Sequence, residues 1–333
     1  MSDKRNASVD ITRVAAAAGI ILCHVDMTGY GAIGILVNQF LSVRFSLMFF
    51  LAIIGYYLEK SYQAGRNPIP GRILSLVRIY GIWSLVYVAM SFVMLVVIQD
   101  VPLKQFLISK AKGFFLSGSY YHFWFYPAVI YSLLVIGVMK RLSGNRAIQI
   151  LMPAALALYA VGLFGTGYLP LGQMIPGLRT LYGAEVFKDM MHLCFLGFPS
   201  IVFGMAAAQK TRESSTHLLL AAAALYVAEC MILCLHLGWR EDPQMLLSTP
   251  LLTLVFLHWI EDRKLGKGRL DPSLLRIVSS SMYNVHPLLL AVFALILPGL
   301  DGLWAFALCT VCSVGVGWML YRLRKFQFIT LFI

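Results

Sequence analysis

Charged side chains are scarce in this chain. Asp, Glu, Lys and Arg make up 13% of its 333 residues, and hydrophobic residues make up 59%. Because a soluble protein carries about a quarter charged residues, this composition excludes an ordinary soluble globular protein. The chain also lacks a basic domain that could hold nucleic acid, so we do not interpret the formal net charge of +12 as a sign of nucleic-acid binding.

Cysteine is sparse as well, and each of the six cysteines lies in an apolar segment. Cys309 and Cys312 have the spacing of a redox or zinc motif, but apolar residues flank them on both sides, so we interpret them as packing residues. We predict no disulfide and no metal site. The start also lacks a small-x-small cleavage site after a short apolar core, so we expect the first helix to be retained.

Long apolar blocks are what the chain has in abundance. Residues 79–99, 147–178, 277–300 and 302–321 contain no charged side chain, and about 20 residues of helix cross the hydrocarbon of a bilayer. The pattern predicts an all-α fold, a membrane helix bundle formed by a single domain over residues 1–333. Ten transmembrane helices are predicted, at 8–26, 41–58, 73–99, 121–139, 147–165, 188–208, 215–237, 244–260, 276–297 and 302–321.

The distribution of Lys and Arg orients this bundle. With the N-terminus in the cytoplasm, the segments predicted to lie inside hold 17 of the 27 Lys and Arg residues, and the outer loops hold 6. Basic residues concentrate on the cytoplasmic side of membrane proteins. We therefore expect both termini in the cytoplasm, and we expect the positive charge to attract anionic lipid headgroups.

Ionisable groups interrupt the apolar residues of the first span. Arg13 and His24 are eleven residues apart, which on an α-helix is three turns plus about 20° and an axial distance of about 16.5 Å. We therefore predict that they share one helix face. Asp10, three residues before Arg13, can pair with it on the same side. Ionisable side chains at membrane depth cost at least about 2.5 kcal/mol and indicate a function, although the Asp10–Arg13 pair could be purely structural.

Other spans contribute polar side chains for which two interpretations compete. A lone histidine within a membrane is often only a hydrogen-bonding partner between helices, and we favour that or an interfacial position for His192, His217, His236 and His258. The functional candidates are His122 and Trp124 at the start of the fourth span, Glu185 on a predicted helix face with Asp189 and His192, Asn284 and His286 near the middle of the ninth span, and Arg72 and Arg78 at the inner end of the third.

Five segments, in order, resemble those of a known family. "SVDITRVAAAAGIILCH" (8–24), in which ten residues separate Arg13 from His24, resembles the opening helix of the integral-membrane acyltransferase family 3. The later helices of that family are similar to "FFLAIIGYYLEK" (49–60), "LVRIYGIWSLVY" (76–87), "YHFWFYPAVIY" (121–131) and "MYNVHPLLL" (282–290). The resemblance covers nearly the whole chain.

Two positions depart from the family pattern. Ile54 stands where the family usually has Ser or Thr before a glycine, and Ser75 replaces the first Arg of an R-x-x-R motif whose second Arg is Arg78. These departures lean toward the branch that includes the membrane domains of vancomycin-resistance serine racemases, which is linked to serine uptake. Sugar O-acetyltransferases are the other near relatives.

The resemblance implies a function in the bacterial cytoplasmic membrane. An acyl group, usually acetyl, passes from cytoplasmic acyl-CoA to a hydroxyl of an envelope glycan or a lipid-linked sugar, with acetyl-CoA as the co-substrate. The catalytic residues so implied are His24, Arg13 and Asp10. His24 suits a general base because a neutral imidazole is available near pH 7.

Substrate contacts follow from the same resemblance. Arg13, Arg72 and Arg78 lie toward the cytoplasmic face, where CoA phosphates arrive, and Arg is a natural bidentate partner for phosphate. The contacts expected with the acceptor are those of His122, Trp124, Glu185, Asn284 and His286.

Two other classes of function compete with the enzyme. A transporter or flippase of a small polar solute such as serine would line its pathway with the same polar groups, but we see no clear inverted repeat of the kind that many transporters show. A receptor or scaffold leaves the polar helix face unexplained. We favour the acyltransferase.

The orientation is open to a direct test. A single cysteine placed at Lys104 or Arg179, in a cysteine-free variant, is expected to react with an impermeant maleimide from outside the cell, because residues 99–120 and 166–187 are predicted outer loops. A cysteine at Arg141, in a predicted inner segment, serves as the control. Protection of either outer position in intact cells would show that the predicted topology is wrong.

Overall fold

The computed structural model describes residues 7–209, 215–240, 243–263 and 270–332, and these residues form helices and connecting turns, with no strand among them. Their α-helices are, in chain order, α1 (Ala7–Leu22), α2 (Gly31–Ile35), α3 (Val43–Gln63), α4 (Ile69–Phe92), α5 (Leu103–Leu116), α6 (Phe125–Ser143), α7 (Ala147–Phe164), α8 (Leu169–Gly172), α9 (Pro176–Gly183), α10 (Glu185–Met190), α11 (Phe198–Ala208), α12 (Thr216–Met231), α13 (Thr249–Glu261), α14 (Pro272–Ile296) and α15 (Gly302–Leu323). π-Helical segments occupy Leu36–Ser42, Val93–Ile98, Met191–Gly197 and Ile232–His236, and short 3₁₀ turns occupy Thr28–Tyr30, Gly144–Arg146 and Ile329–Phe332.

Several of these helices are suited to a membrane. Among the described residues, seven helical stretches are long and apolar enough to cross one, namely Thr28–Gln63, Ile69–Ile98, Phe125–Phe164, Phe187–Ala208, Thr216–His236, Pro272–Ile296 and Gly302–Leu323. Helix α13 is apolar but shorter. The prediction of an all-α fold is confirmed for the described residues, and several helices have the length and composition of membrane spans. The count of ten spans, the cytoplasmic location of both termini and the single domain stay predictions.

Some of the predicted segments differ in their details. The stretch Phe125–Phe164 contains two α-helices, α6 and α7, separated at Gly144, which has a φ of +53°. The first span was predicted over 8–26, but α1 has 16 residues and ends at Leu22. Some of the basic residues used to predict the orientation lie outside the described residues: Lys4, Arg5, Lys210, Arg212, Lys264, Lys267 and Arg269.

The chain divides into two compact units. Unit 1 contains Met1–Phe50 and Thr211–Leu331, and unit 2 contains Leu51–Lys210 together with Phe332. The division falls within α3, so the first residues of this helix belong to unit 1 and the remainder to unit 2. Each unit is described by itself.

Unit 1 is organised around α14, which packs against both α1 and α15. Small residues such as Ala17 allow close approach of the helix backbones, as is common between membrane helices. Asp271 and Asp301 begin α14 and α15 by accepting hydrogen bonds from the backbone N–H groups of Ser273 (2.7 Å) and Leu303 (2.9 Å). The buried core of these three helices consists of Ala17, Ile21, Val278, Met282, Phe293 and Cys309.

Unit 2 brings α3 and α11 into backbone contact through two glycines. A Cβ at Gly55 would collide with the carbonyl oxygen of Ile201, and a Cβ at Gly204 would collide with that of Ala52. The contact is therefore reciprocal, with one glycine on each helix. Neither position has room for a side chain unless the helices separate.

This contact leads to a prediction on stability. Gly204→Ala forces a methyl group into the Ala52 carbonyl, so we expect the melting temperature in detergent to fall, with a loss of about 1–3 kcal/mol as for other overpacked sites. Gly81→Ala, in α4, is the matched control because nothing lies within 4 Å of its Cβ position, and it is expected to be neutral or stabilising by up to about 1 kcal/mol. Equal melting temperatures for the two variants would contradict the tight contact.

Candidate functional site

His24 lies in a turn just beyond the end of α1. The helix ends at Leu22, and the backbone N–H groups of His24 and Val25 donate to the carbonyls of Ile21 (3.0 Å) and Leu22 (3.4 Å) in tighter turns than an α-helix makes. The prediction that the helix continues through His24 is therefore wrong. The shared face of Arg13 and His24, which was calculated for a continuous helix, stays a prediction.

The predicted pair of Asp10 and Arg13 is present within α1. Nη1 of Arg13 donates to Oδ1 of Asp10 at 3.5 Å. The Asp10 side chain is buried, and the Arg13 side chain as a whole is about one quarter exposed, with an accessibility of 26%. An ion pair of this length is weak.

The His24 ring stacks on the ring of His286 from α14. The ring centroids are 5.0 Å apart and the planes are inclined by 25°. His286 is fully buried, and its Nδ1 lies 2.9 Å from the carbonyl oxygen of Met282. Because a carbonyl only accepts, Nδ1 of His286 is the donor in this hydrogen bond. Two imidazoles, one partly exposed and one buried, therefore lie face to face where α1 packs on α14.

The π-helical segment Leu36–Ser42 holds the turn that carries His24. The side-chain amide of Gln39 donates to the carbonyl of Cys23 (3.4 Å), and that of Asn38 donates to the carbonyl of Val25 (2.9 Å). The two amides are also joined to each other, because Nε2 of Gln39 donates to Oδ1 of Asn38 at 2.6 Å. The backbone is therefore fixed on both sides of His24.

The other side of this turn is closed by α15. A Cβ at Gly302 would collide with the carbonyl oxygen of Asp26, so only glycine allows the first residue of α15 to approach so closely. The hydroxyl of Tyr30 donates to Oδ1 of Asp301 at 2.9 Å, which adds a second link between the start of α15 and the residues that follow His24.

The predicted phosphate-binding arginines lie in unit 2. Arg72 is half-buried and its Nη1 donates to the carbonyl of Ile54 at 3.2 Å. Arg78 lies farther along α4 and is exposed. An ion pair that the sequence analysis missed joins Lys140 to Glu59 at 2.6 Å, with both side chains buried. Nothing in the local sequence indicates this pair, because its members are on helices far apart in the chain.

The predicted acceptor-binding residues belong to both units, with His122, Trp124 and Glu185 in unit 2 and Asn284 and His286 in unit 1. In unit 2, His122 is buried against the edge of Tyr87, with ring centroids 5.1 Å apart. The ring of Trp124 stacks on that of His192 at 4.2 Å with an interplanar angle of 18°. In unit 1, the amide of Asn284 donates back to the carbonyl of Ser280 in its own helix at 2.9 Å. A role of these residues in binding the acceptor stays a prediction.

The predicted helix face of Glu185, Asp189 and His192 is interrupted. Helix α10 ends at Met190 and a π-helical segment follows, so the 3.6-residue repeat does not extend to His192. Glu185 is exposed, whereas Asp189 pairs with Lys112 at 2.9 Å. The hydrogen bond and charge of Asp189 raise the pKa of Lys112 above its usual value. A regular α-helix therefore does not connect Glu185 and Asp189 to His192.

Arg44 is the main residue that the sequence analysis left without a role. It is 5% exposed inside the stretch Thr28–Gln63. A charged side chain within a membrane span is itself a sign of function, so the signal was present in the sequence. Its partners were not visible, because they depend on the π-helical fold of the preceding residues.

A family model and two curated relatives match the sequence of this chain. A model of the acyltransferase family 3, described as an acyltransferase domain, matches residues 6–322. Two curated relatives, both named amino-acid racemase and both from Enterococcus faecalis, are 24% identical over 96% of this chain and 23% identical over 53% of it. These matches cover 47% and 24% of the relatives' own lengths, so the chain spans about half the length of the curated relatives it matches.

No solved structure matches the chain. The family match covers nearly all of the chain and includes the segments from which the resemblance was inferred. That resemblance is confirmed, and the chain belongs to the acyltransferase family 3 of membrane acyltransferase domains.

Proposed function

We propose that this protein transfers an acyl group, with acetyl preferred, from cytoplasmic acyl-CoA to a hydroxyl of an envelope glycan or a lipid-linked sugar in the bacterial cytoplasmic membrane. Family membership supports the acyl transfer. The single observation that supports the chemistry most directly is the stacking of His24 on His286. His24 lies on a turn whose backbone is hydrogen-bonded on both sides, and His286 belongs to α14.

The proposed role of His24 is that of a general base. Its imidazole takes the proton of the acceptor hydroxyl while the hydroxyl oxygen attacks the thioester carbonyl carbon. The tetrahedral intermediate carries an oxyanion, which a nearby cation or N–H donor stabilises. The C–S bond then breaks, the acyl group stays on the acceptor oxygen as an ester, and the proton on His24 passes to the departing CoA thiolate.

His286 supports this role by its position. Its buried ring covers one face of the His24 ring, and its Nδ1–H is used by the carbonyl of Met282. The stack limits the orientations that His24 can adopt, which is the usual requirement for a base that acts on one oxygen atom. Asp10 and Arg13 lie on α1, the helix that precedes the turn, and we propose that Arg13 interacts with the donor.

Transport of a small polar solute is the second candidate. Two relatives are named amino-acid racemases, and an amino acid such as serine is a solute of this kind. Purified protein that releases free CoA from acetyl-CoA in the presence of envelope glycan supports the enzyme. Proteoliposomes that accumulate labelled serine, with no release of CoA, would support the transporter instead.

The base role leads to a prediction on His24. We expect His24→Ala and His24→Gln to lower acetyl transfer by about 10²–10⁴-fold, because neither side chain accepts a proton near pH 7. The measurement is incorporation of labelled acetyl from acetyl-CoA into glycan, combined with mass spectrometry of the envelope glycans for the added acetyl mass. Binding of CoA should be retained.

His217→Gln is the matched control, because His217 is an exposed histidine at the start of α12. It is expected to transfer acetyl at the wild-type rate. If His24→Gln also transfers near the wild-type rate, then His24 is a hydrogen-bonding partner and a different residue takes the proton.

A separate prediction concerns the donor. We propose that Arg72 and Arg78 bind CoA phosphates, and Arg78 is the better test because its side chain is exposed. Loss of a charged hydrogen bond costs about 1.5–3 kcal/mol, so Arg78→Ala is expected to weaken CoA binding by roughly 10- to 100-fold. Titration calorimetry in detergent measures this. Arg141→Ala, which removes an exposed arginine at the end of α6, is the control, and equal CoA affinities for both variants would mean that Arg78 only orients the helix or contacts headgroups.

A further inference from the structure

Arg44 lies inside Thr28–Gln63, a stretch long and apolar enough to span a membrane, and its guanidinium is hydrogen-bonded within unit 1. Nε donates to the backbone carbonyl of Gln39 at 2.7 Å, and Nη2 donates to the side-chain carbonyl of the same residue at 3.3 Å. Nη1 donates to Oε1 of Gln244 at 2.8 Å. The fork of Arg44 therefore holds Gln39 at two atoms, one on the main chain and one on the side chain.

The π-helical segment explains why such a hold is needed. π-Helical turns are rare and are found frequently at functional sites. In this segment, side chains donate hydrogen bonds to several backbone carbonyls. Arg44 takes that of Gln39, while the hydroxyl of Tyr226 donates to those of Phe40 (2.7 Å) and Leu41 (3.2 Å). Arg44 and Tyr226 both stabilise the segment, but only Arg44 acts on Gln39.

Gln39 connects Arg44 to the turn that carries His24. With its carbonyl oxygen held by Arg44, the amide of Gln39 directs its N–H groups to the carbonyl of Cys23 and to Oδ1 of Asn38. Asn38 in turn donates to the carbonyl of Val25. The hydrogen bonds thus run from one guanidinium to the carbonyl on either side of His24.

We propose that Arg44 is a positioning residue: through Gln39 and Asn38 it fixes the turn that presents the His24 ring to the reacting hydroxyl. This inference rests on the proposed function, in which His24 is the base. The geometry favours positioning because Arg44 binds two oxygens of Gln39. One is the backbone carbonyl oxygen, and the other is Oε1 of the side-chain amide that contacts the turn. A lysine has a single nitrogen and no planar fork, so it cannot reproduce the three hydrogen bonds that separate nitrogens of Arg44 make to Gln39 and Gln244.

The test compares Arg44→Met, Arg44→Lys and Gln39→Met with the control Tyr226→Phe. Misplacement of a reacting group by about 1 Å can cost about 10²-fold in rate. We therefore expect Arg44→Met and Gln39→Met to lower kcat for acetyl transfer by about that factor, with little change in KM for acetyl-CoA. Arg44→Lys should recover only a small part of kcat. The double variant Arg44→Met/Gln39→Met should be no slower than either single variant, because both break the same chain of hydrogen bonds.

Tyr226→Phe separates positioning from simple stability. It removes a hydroxyl from the same π-helical segment, so it should lower the melting temperature while kcat is retained. If it lowers kcat as much as Arg44→Met does, any loss of stability in the segment is sufficient, and Arg44 has no special role.

A second readout does not depend on activity. Diethyl pyrocarbonate modifies histidine rings, and peptide mapping by mass spectrometry gives the rate at His24 relative to His217 in the same molecule. A loosened turn exposes His24, so this ratio should rise in Arg44→Met and Gln39→Met and stay unchanged in Tyr226→Phe. The modification ratio can also be measured in a variant that is too unstable for kinetics. Gln39→Met and Arg44→Lys disturb the same Arg44–Gln39 hydrogen bonds by different changes, so either of them can replace Arg44→Met in this measurement.

The two proposals fail in different ways. If the wild type transfers no acetyl group while the His24 modification ratio still rises in Arg44→Met, positioning by Arg44 holds and the proposed function is wrong. If the wild type transfers acetyl and His24→Ala is inactive, but Arg44→Met matches the wild type in both kcat and modification ratio, the positioning role is wrong and the proposed function is retained.

Discussion

Inside the hydrocarbon of a membrane, a polar group has to find its partner within the protein, because no water is present to supply one. In unit 1 this constraint acts on the π-helical segment Leu36–Ser42, whose carbonyls are bound by Arg44 and Tyr226. The amides of Asn38 and Gln39 then satisfy carbonyls in the turn after α1. The need to satisfy backbone groups therefore links one charged residue to the place where His24 lies.

Unit 2 contains a buried ion pair. Lys140 and Glu59 lie 2.6 Å apart with both side chains buried, and the amide of Gln209 donates to the other oxygen of Glu59 at 3.3 Å. Desolvation offsets much of the attraction in such a pair, but removing one partner leaves a buried charge behind. The close contact of α3 with α11 through Gly55 and Gly204 occurs in the same unit. Small residues let helix backbones approach closely, and the resulting van der Waals packing holds membrane helices together.

The arrangement around His24 is consistent with chemistry on one atom of a substrate. Its ring is partly exposed, one face is covered by His286, and the backbone on each side is held by a different amide. Membership of the acyltransferase family 3 supplies the class of reaction, and the assignment of the base to this imidazole belongs to the proposed function. A base that acts on a single hydroxyl has to be held in a defined direction.

The amino-acid sequence by itself determined the class of the fold and the family. Apolar blocks of membrane-spanning length require helices, since a helix satisfies its backbone groups without outside help, and the spacing of Arg13 and His24 together with four later motifs indicated the acyltransferase resemblance. The pair of Asp10 and Arg13 was predictable because its members are three residues apart on one helix.

Only the tertiary structure decided what surrounds His24. The end of α1 at Leu22, the stack on His286 and the hold of Arg44 on Gln39 depend on residues far apart in the chain or on a π-helical turn. The 3.6-residue repeat that predicts an α-helix from sequence does not show where the helix ends or where a π-turn shifts its phase. The ion pair of Lys140 and Glu59 was also not predictable from the sequence. Its members lie on different helices, and the packing of those helices leaves no pattern in the local sequence.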